Sequence, residues 1–216
     1  MDQLAKPAIS QFTESPYFAR AEAHTKSQWE KHIAPVLQGA NLSRVLDLAC
    51  GHGRFSELLA PQAKRLIVAD ANETCIDATR ERLKEFKNVE YILTNGYSLD
   101  AIPDGAITFL FCFDAMVHFD NDVVCAYIEE TARILAPGAI GFFHHSNFTE
   151  RPGADHRSNP HARNFMSTEL FAHQASKAGL KVVRSMKISW GTGERFVPYL
   201  DGITVVRKPP APNQDA

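Results

Sequence analysis

Two rhythms alternate along this chain: short apolar runs that read as buried strands, and stretches with apolar positions three and four apart that read as helices. Residues 44–49 form an apolar run that ends on Gly51-His52-Gly53, and a helical stretch over 54–59 follows, giving strand, glycine turn and helix in order. Residues 65–70 repeat the run and close it with Asp70. Asn72 is placed to cap the next helix, where Ile76, Thr79, Leu83 and Phe86 mark one buried face. A third strand is predicted over 89–93, ending at Thr94-Asn95-Gly96, and a fourth over 107–113, whose aromatic and apolar content suits burial on both faces. Asp120 or Asn121 caps a helix with Val124, Tyr127, Ile128, Thr131 and Leu135 on one face. That helix stops at Pro137-Gly138, and residues 139–144 make a fifth strand.

The rhythm then lapses. Residues 146–166 are 21 positions rich in Ser, Asn, Pro, Gly, His and Arg without periodicity, a length at which a connection inside a compact domain is usually functional or disordered. Ser167 caps a helix running to 178, Gly179 sits where a C′ glycine belongs, and residues 180–188 and 203–207 are two closing strands. Residues 17–38 read as helical, though their apolar positions fit one face only loosely. The expected organisation is an N-terminal cap or lid over 1–40, a ligand-binding domain over 41–208 with a substrate loop at 146–166, and a disordered tail over 209–216. Strands alternating with helices predict a doubly wound α/β sheet with helices on both faces, and the two late strands fit an antiparallel edge. Ligands in such sheets sit beyond the carboxyl ends of the strands.

Composition narrows the classes. A chain of 216 residues, 44% hydrophobic and 22% charged, suits one folded domain. Twenty-three basic against 25 acidic side chains leave a net charge of −2, without the basic field that a nucleic-acid partner requires. Cys50, Cys75, Cys112 and Cys125 lack CxxC spacing and read as buried free thiols. The N-terminus has no apolar signal-type segment, and no run of about 18 apolar residues occurs. A cytoplasmic protein without membrane contact is therefore expected. Asn147-Phe148-Thr149 fits a glycosylation triplet but lacks the secretory context.

The chemistry gathers at strand ends. Gly51 and Gly53 let the backbone approach a ligand, and the following helix offers free N–H groups to an anionic one. A dinucleotide fingerprint would want a third glycine where Ser56 stands. Asp70, seventeen residues after Gly53, can take both hydroxyls of a ribose. Asp47 beside the glycine turn suits an ammonium group and would repel a pyrophosphate.

With these residues in place a family resemblance emerges. Val45-Leu46-Asp47-Leu48-Ala49-Cys50-Gly51-His52-Gly53 closely resembles motif I of the class I S-adenosylmethionine-dependent methyltransferases, and Asp70 resembles that family's acid at the end of strand two. Asn95-Gly96 resembles its adenine-side dipeptide, with Asn where the family more often has Asp. Leu135-Ala136-Pro137-Gly138-Ala139 resembles its turn before strand five. The resemblance covers about residues 44–207. It implies a Rossmann-like sheet of seven strands, mostly parallel with an antiparallel last strand, and S-adenosyl-L-methionine as cofactor with S-adenosyl-L-homocysteine as product. Cofactor contacts are expected from Asp47, Ala49, Gly51, Gly53, Asp70, Ala71, Asn95, Gly96 and Phe113. The sulfonium methyl would face residues 113–120, where His118 is the candidate base, joined by Asp114 and His144 as catalytic candidates.

Neighbours in a strand point to opposite faces, so at most one of His144 and His145 should look into the site. Asp114, Asp120, His118 and His144 could alternatively gather a divalent ion, although no HxxxH or HExxH spacing supports a tight zinc site. The loop residues His156, Arg157, Asn159, His161, Arg163 and Asn164 suit a hydroxylated or anionic acceptor. The family's Asn-Pro-Pro-Tyr signature for amino groups is absent after strand four, where Phe113-Asp114-Ala115-Met116 stands. The expected activity is methyl transfer to a small-molecule hydroxyl, on a sugar or a secondary metabolite, with homodimer formation left open. Two rival readings are a nicotinamide-dependent oxidoreductase, opposed by Ser56 and Asp47, and a non-catalytic S-adenosylmethionine-binding protein.

Overall fold

The structure, a computed structural model, describes residue 1, residues 3–6 and residues 17–211. Seven strands form one sheet: β1 (Val45–Leu48), β2 (Leu66–Asp70), β3 (Val89–Leu93), β4 (Ile107–Cys112), β5 (Leu135–Ser146), β6 (Lys181–Trp190) and β7 (Val197–Arg207). Their order is β3-β2-β1-β4-β5-β7-β6. The first five pair in parallel, and β7 runs antiparallel to both β5 and β6. The chain reverses its winding direction between β1 and β4, so a crevice opens beyond their carboxyl ends.

Alternation along the strands builds a core on each face of the sheet. Leu46, Leu48, Leu110, Cys112 and Phe143 face α6 (Asn121–Ile134) and α7 (Thr168–Lys177). Val45, Phe109, Phe111 and Phe142 face the opposite way, onto Ile33, Leu37, Phe55 and Leu59. Full burial of each such aromatic stabilises the fold by about 1.5–3 kcal/mol. The predicted caps are in place: Asn72 accepts from Thr74 at the start of α5 (Glu73–Arg82), Asp120 from Asp122 and Ser167 from Leu170. Gly179 ends α7 at φ +82°.

Several boundaries depart from the sequence expectation. The N-terminal helix is broken into α1 (Tyr17–Glu22), α2 (Thr25–Gln28), a π-helical turn (Trp29–Ile33) and α3 (Ala34–Leu37). Pro35 has no N–H and its ring crowds the carbonyl four residues back, so the turn widens and Ala34 donates to Trp29 instead. The helix before residue 85 is shorter than its apolar spacing implied, and α4 holds only Ser56–Leu59. Strand β5 starts at Leu135, ahead of Pro137-Gly138, because Leu135 pairs with Ile107 across a register shift in β4. Strands β6 and β7 run longer than predicted, as a hairpin reaching residues 190 and 197.

The aperiodic stretch over 146–166 carries two 3-10 turns, His156–Ser158 and Pro160–Ala162, and a bridge between Phe148 and Phe165. The four cysteines are free; Cys75 and Cys112 are buried, whereas Cys50 and Cys125 are half-buried. Among the described residues no helix is long and apolar enough to cross a membrane. The tail expected to be disordered falls, from residue 212 on, outside the described residues.

Candidate active site

Strand β1 ends at Leu48, and the next residues curl tightly: Ala49 lies at φ 58° and Gly51 at φ 56°. Ala49 and Cys50 both donate backbone N–H groups to Ala69 of β2, which fixes the turn against the neighbouring strand. Asp70 completes the clamp, accepting from Gly51 N–H through Oδ2 and from Asn72 N–H through Oδ1, each at 2.9 Å. Burial pushes its carboxyl up, and those N–H donors work against the rise. A Cβ on Gly51 would lie 2.8 Å from the Phe18 ring, which stacks on His52 at 3.7 Å between centroids. The glycine turn thus sits directly under α1.

Two cavities border this turn, and a third lies beside them. The first, about 760 Å³, is bordered by Leu48, Ala49, Gly51, Asp70, Ala71, Thr94 and Gly96 on the sheet side, and by Ala115, His118, Phe119 and Val123 opposite. Leu4, Ala5, Tyr17 and Phe18 of the N-terminal segment border it too. A second, about 420 Å³, adjoins it at Asp47, Arg54, Phe55 and Phe113. A third, about 1380 Å³ and open to solvent, lies between the N-terminal helices and the β6–β7 hairpin. Tyr17 and Asp114 border all three.

Asp114 is held from several sides. Its backbone takes a left-handed φ of 58° just after β4, and its N–H donates to His144 Nδ1 at 3.1 Å. The Tyr17 hydroxyl and Arg54 Nη2 both donate to Oδ2, the latter at 2.8 Å. No hydrogen bond to Oδ1 occurs among the described residues. Burial, and then the Asp114 charge, raise the Tyr17 hydroxyl well above its ordinary range. Arg54 also donates to Ala21 O and to Gln28, so one guanidinium ties the N-terminal segment to the crevice.

Behind Asp114 runs a buried network. His144, wholly buried, joins Asp201 Oδ2 through Nε2 at 3.1 Å, and Arg163 grips the same carboxylate with two bonds of 2.8 and 2.7 Å. Burial alone would raise the Asp201 carboxyl, but Arg163 and His144 outweigh it and hold it far below the usual carboxylate range. His145 points the other way, bonded to Ser146 O and Thr204 and stacked on Phe171 at 4.1 Å. Strand alternation thus sends one imidazole of the pair toward the crevice and one into the far core.

The structure gathers some expected site residues and disperses others. Ala49, Gly51, Asp70, Ala71 and Gly96 share the first cavity, while Asp47 and Phe113 border the second. Asp47 is buried, bonded by Ser56 Oγ at 2.5 Å, and pushed up to about 7 by that burial. Gly53 instead packs against Thr79. Asn95 is an exposed turn residue whose side chain bonds Tyr97 and Ser98; Thr94 takes the neighbouring place in the cavity. His118 borders the first cavity, with Nδ1 bonded to Ala162 O at 2.8 Å, and burial pushes its ring down to about 3.

No group of three or more His, Cys, Asp or Glu side chains among the described residues is arranged to hold a metal ion. Asp114 and His144 are instead committed to Arg54 and Asp201. Of the loop residues, His161 reaches the open cavity, and Arg163 turns inward to Asp201. Tyr17, Arg54 and Asp201 escaped the sequence reading. Arg54 carried a signal, a cation directly after the glycine turn, whereas Asp201 carried none.

Comparison with known proteins agrees with this geometry. Residues 45–138 match the family described as methyltransferase domain. Over that span the chain is similar to S-adenosylmethionine-dependent methyltransferases. Nodulation protein S of Sinorhizobium fredii is 30% identical over 82 residues, 38% of this chain and 38% of its own length. A Mycolicibacterium smegmatis protein named "Probable S-adenosylmethionine-dependent methyltransferase" is 28% identical over 151 residues, 69% of this chain and 56% of its own. The chain thus spans less than two thirds of the curated relatives it matches. The crystal structure of a 4+2 cyclase shares the fold at TM-score 0.69 and 15% identity, covering 92% of this chain and 85% of that one. These similarities favour the methyltransferase reading over the nicotinamide one.

Proposed function

We propose that this protein transfers the methyl group of S-adenosylmethionine to a small-molecule acceptor, an oxygen of a sugar or secondary-metabolite hydroxyl, at the junction of the first and third cavities. The observation that carries the reading is the position of Asp114. Its carboxylate borders both cavities at the end of β4, with Oδ2 fixed by Tyr17 and Arg54 and Oδ1 not bonded among the described residues.

The residues fit the cofactor. Asp70, already anchored by two N–H groups, presents its remaining lone pairs to ribose hydroxyls, and Ala71, Ala115, Phe119 and Val123 offer apolar walls to a base. Asp47 in the adjoining cavity suits the amino-acid ammonium, whose charge would restore the ionised carboxylate. When bound, the group supplies an electrophilic methyl on sulfur, and the protein's share is orientation plus removal of one proton.

Asp114 Oδ1 is placed to accept the acceptor's proton, with the Tyr17 hydroxyl beside it as a hydrogen-bonding guide. His118 borders the cofactor side alone and, neutral, can orient the reacting groups as a hydrogen-bond acceptor. His144 is a positioning residue, since both ring nitrogens are engaged. A shared fold does not carry the reaction by itself, as the cyclase neighbour illustrates.

The test is calorimetry with S-adenosylmethionine and S-adenosylhomocysteine, followed by transfer of labelled methyl to sugars and phenols. Micromolar binding of both with labelled product is expected, and Asp114→Asn should lower kcat while leaving S-adenosylhomocysteine affinity intact. Binding without transfer to any acceptor would favour a non-catalytic binding protein. Absence of binding to either compound would overturn the proposal.

A further inference from the structure

The outer cavity has an electrostatic character that the chain as a whole lacks. Arg20 from α1, Lys31 from the π-helical turn and Arg195 from the β6–β7 hairpin converge on its rim, joined by His24, His32 and His161. None of the three permanent cations is ion-paired with a carboxylate among the described residues. Of the described acids near the rim, Glu22 pairs with Arg82 and Glu30 with Lys26, while Glu194 precedes Arg195 in the chain without forming an ion pair among the described residues. Asp114 is the sole acid among the lining residues, and it is occupied by Arg54 and Tyr17. Three cations on one rim, unpaired among the described residues, therefore stand against a net charge of −2 for the entire chain.

The hairpin tip fixes the backbone that carries Arg195. Gly191 turns the chain at φ +85°, and a Cβ there would lie 2.1 Å from the Arg195 carbonyl oxygen and 2.8 Å from His161 Nε2. That carbonyl bonds the His161 ring at 2.7 Å, tying the tip to the loop over 146–166. Arg195 follows from a turn that only glycine can make, in contact with a second segment on the cavity wall. A concave site lined by one sign of charge concentrates its counter-ion.

We infer that the outer cavity binds an acceptor carrying an anionic group, a phosphate, sulfate or carboxylate of a small molecule, seated among Arg20, Lys31 and Arg195 while its nucleophile points to Asp114. The inference rests on the proposed methyl transfer and specifies its substrate class. A nucleic-acid backbone has the same charge, but the cationic groups border one cavity rather than a stripe across a surface, and the net charge opposes it.

The probe is pyrophosphate, titrated calorimetrically into protein saturated with S-adenosylhomocysteine. Binding is expected, weakened by added salt, by about threefold in each of Arg20→Gln, Lys31→Gln and Arg195→Gln, and by about thirtyfold in the triple variant. S-adenosylhomocysteine affinity should be unchanged in all four, which also reports that they are folded. Wild-type protein that fails to bind S-adenosylhomocysteine sinks the methyltransferase reading itself. Protein that binds it yet takes no pyrophosphate at millimolar concentration, or takes it equally well as the triple variant, overturns the anionic acceptor. So does competition between pyrophosphate and S-adenosylhomocysteine, or tighter binding of a single-stranded oligonucleotide at the same three residues.

Discussion

The backbone N–H of Asp114 donates to Nδ1 of His144 at 3.1 Å, which settles the tautomer of a wholly buried ring. A backbone N–H only donates, so Nδ1 must accept, and the proton lies on Nε2, bonded to the Asp201 carboxylate. No lone pair is left to take a substrate proton. The imidazole instead props the strained backbone of Asp114 from behind, and Arg163 in turn props Asp201.

Asp201→Asn should therefore be costly out of proportion to its size. It leaves the Arg163 guanidinium buried without its counter-charge, which costs about 3–5 kcal/mol. Urea denaturation of the single variant and of Arg163→Met/Asp201→Asn completes a cycle in which the double variant recovers part of the loss. A single-variant cost below about 1 kcal/mol would contradict a tightly coupled pair.

Asp70→Asn tests the adenosine half of the cofactor site. Replacing a carboxylate acceptor by an amide removes charge-assisted bonds of about 1.5–3 kcal/mol, so S-adenosylhomocysteine should bind about 10- to 100-fold more weakly. Unchanged calorimetric affinity would place the ribose elsewhere.

Stability should fall on mild acidification. Unfolded histidines titrate near about pH 6.5, whereas burial holds His118 at about 3 and His145 at about 4. Folded values depressed in this way give a contribution that is full above about pH 6.5 and drains away as the pH falls toward the folded values. Asp47, raised to about 7, acts oppositely, its contribution growing as pH falls through the same window. His32 is likewise held at about 4, so the depressed imidazoles outnumber the raised Asp47 carboxyl and leave a net loss of stability. Urea midpoints measured between pH 6.5 and pH 5 should drop together with the pH; a level or rising series would refute the balance.

Gly51→Ala should loosen the cap. The new Cβ meets the Phe18 ring at 2.8 Å and must also adopt φ 56°, a backbone cost of about 1–3 kcal/mol. Lower Tm and weaker S-adenosylhomocysteine binding are expected together. Phe18→Ala in the same chain should restore part of the affinity by removing the collision, while leaving the backbone cost in the melting curve.

Much of the sheet was legible because burial on two faces writes itself as apolar runs, and Asn72, Asp120 and Ser167 marked helix starts by capping chemistry that acts within a few residues. The glycine turn and Asp70 were legible for the same local reason. The Tyr17–Asp114 bond joins positions 97 apart, and Arg163 meets Asp201 across 38. Pairings of that kind follow from topology, and no period or spacing along the chain announces them. At Asn95 the residue type does not discriminate, because an Asx turn and a ligand contact use the same one.

Helix α1 is a party wall. Tyr17 and Phe18 border the inner chamber, and Tyr17, Arg20 and Ala21 border the outer one. Whatever factor a guest in one chamber imposes on the tightness of the other, the second guest must return to the first in equal measure. A molecule that lodged in the outer room without reacting would alter the grip on a nucleoside behind it only to the extent that it moved that wall.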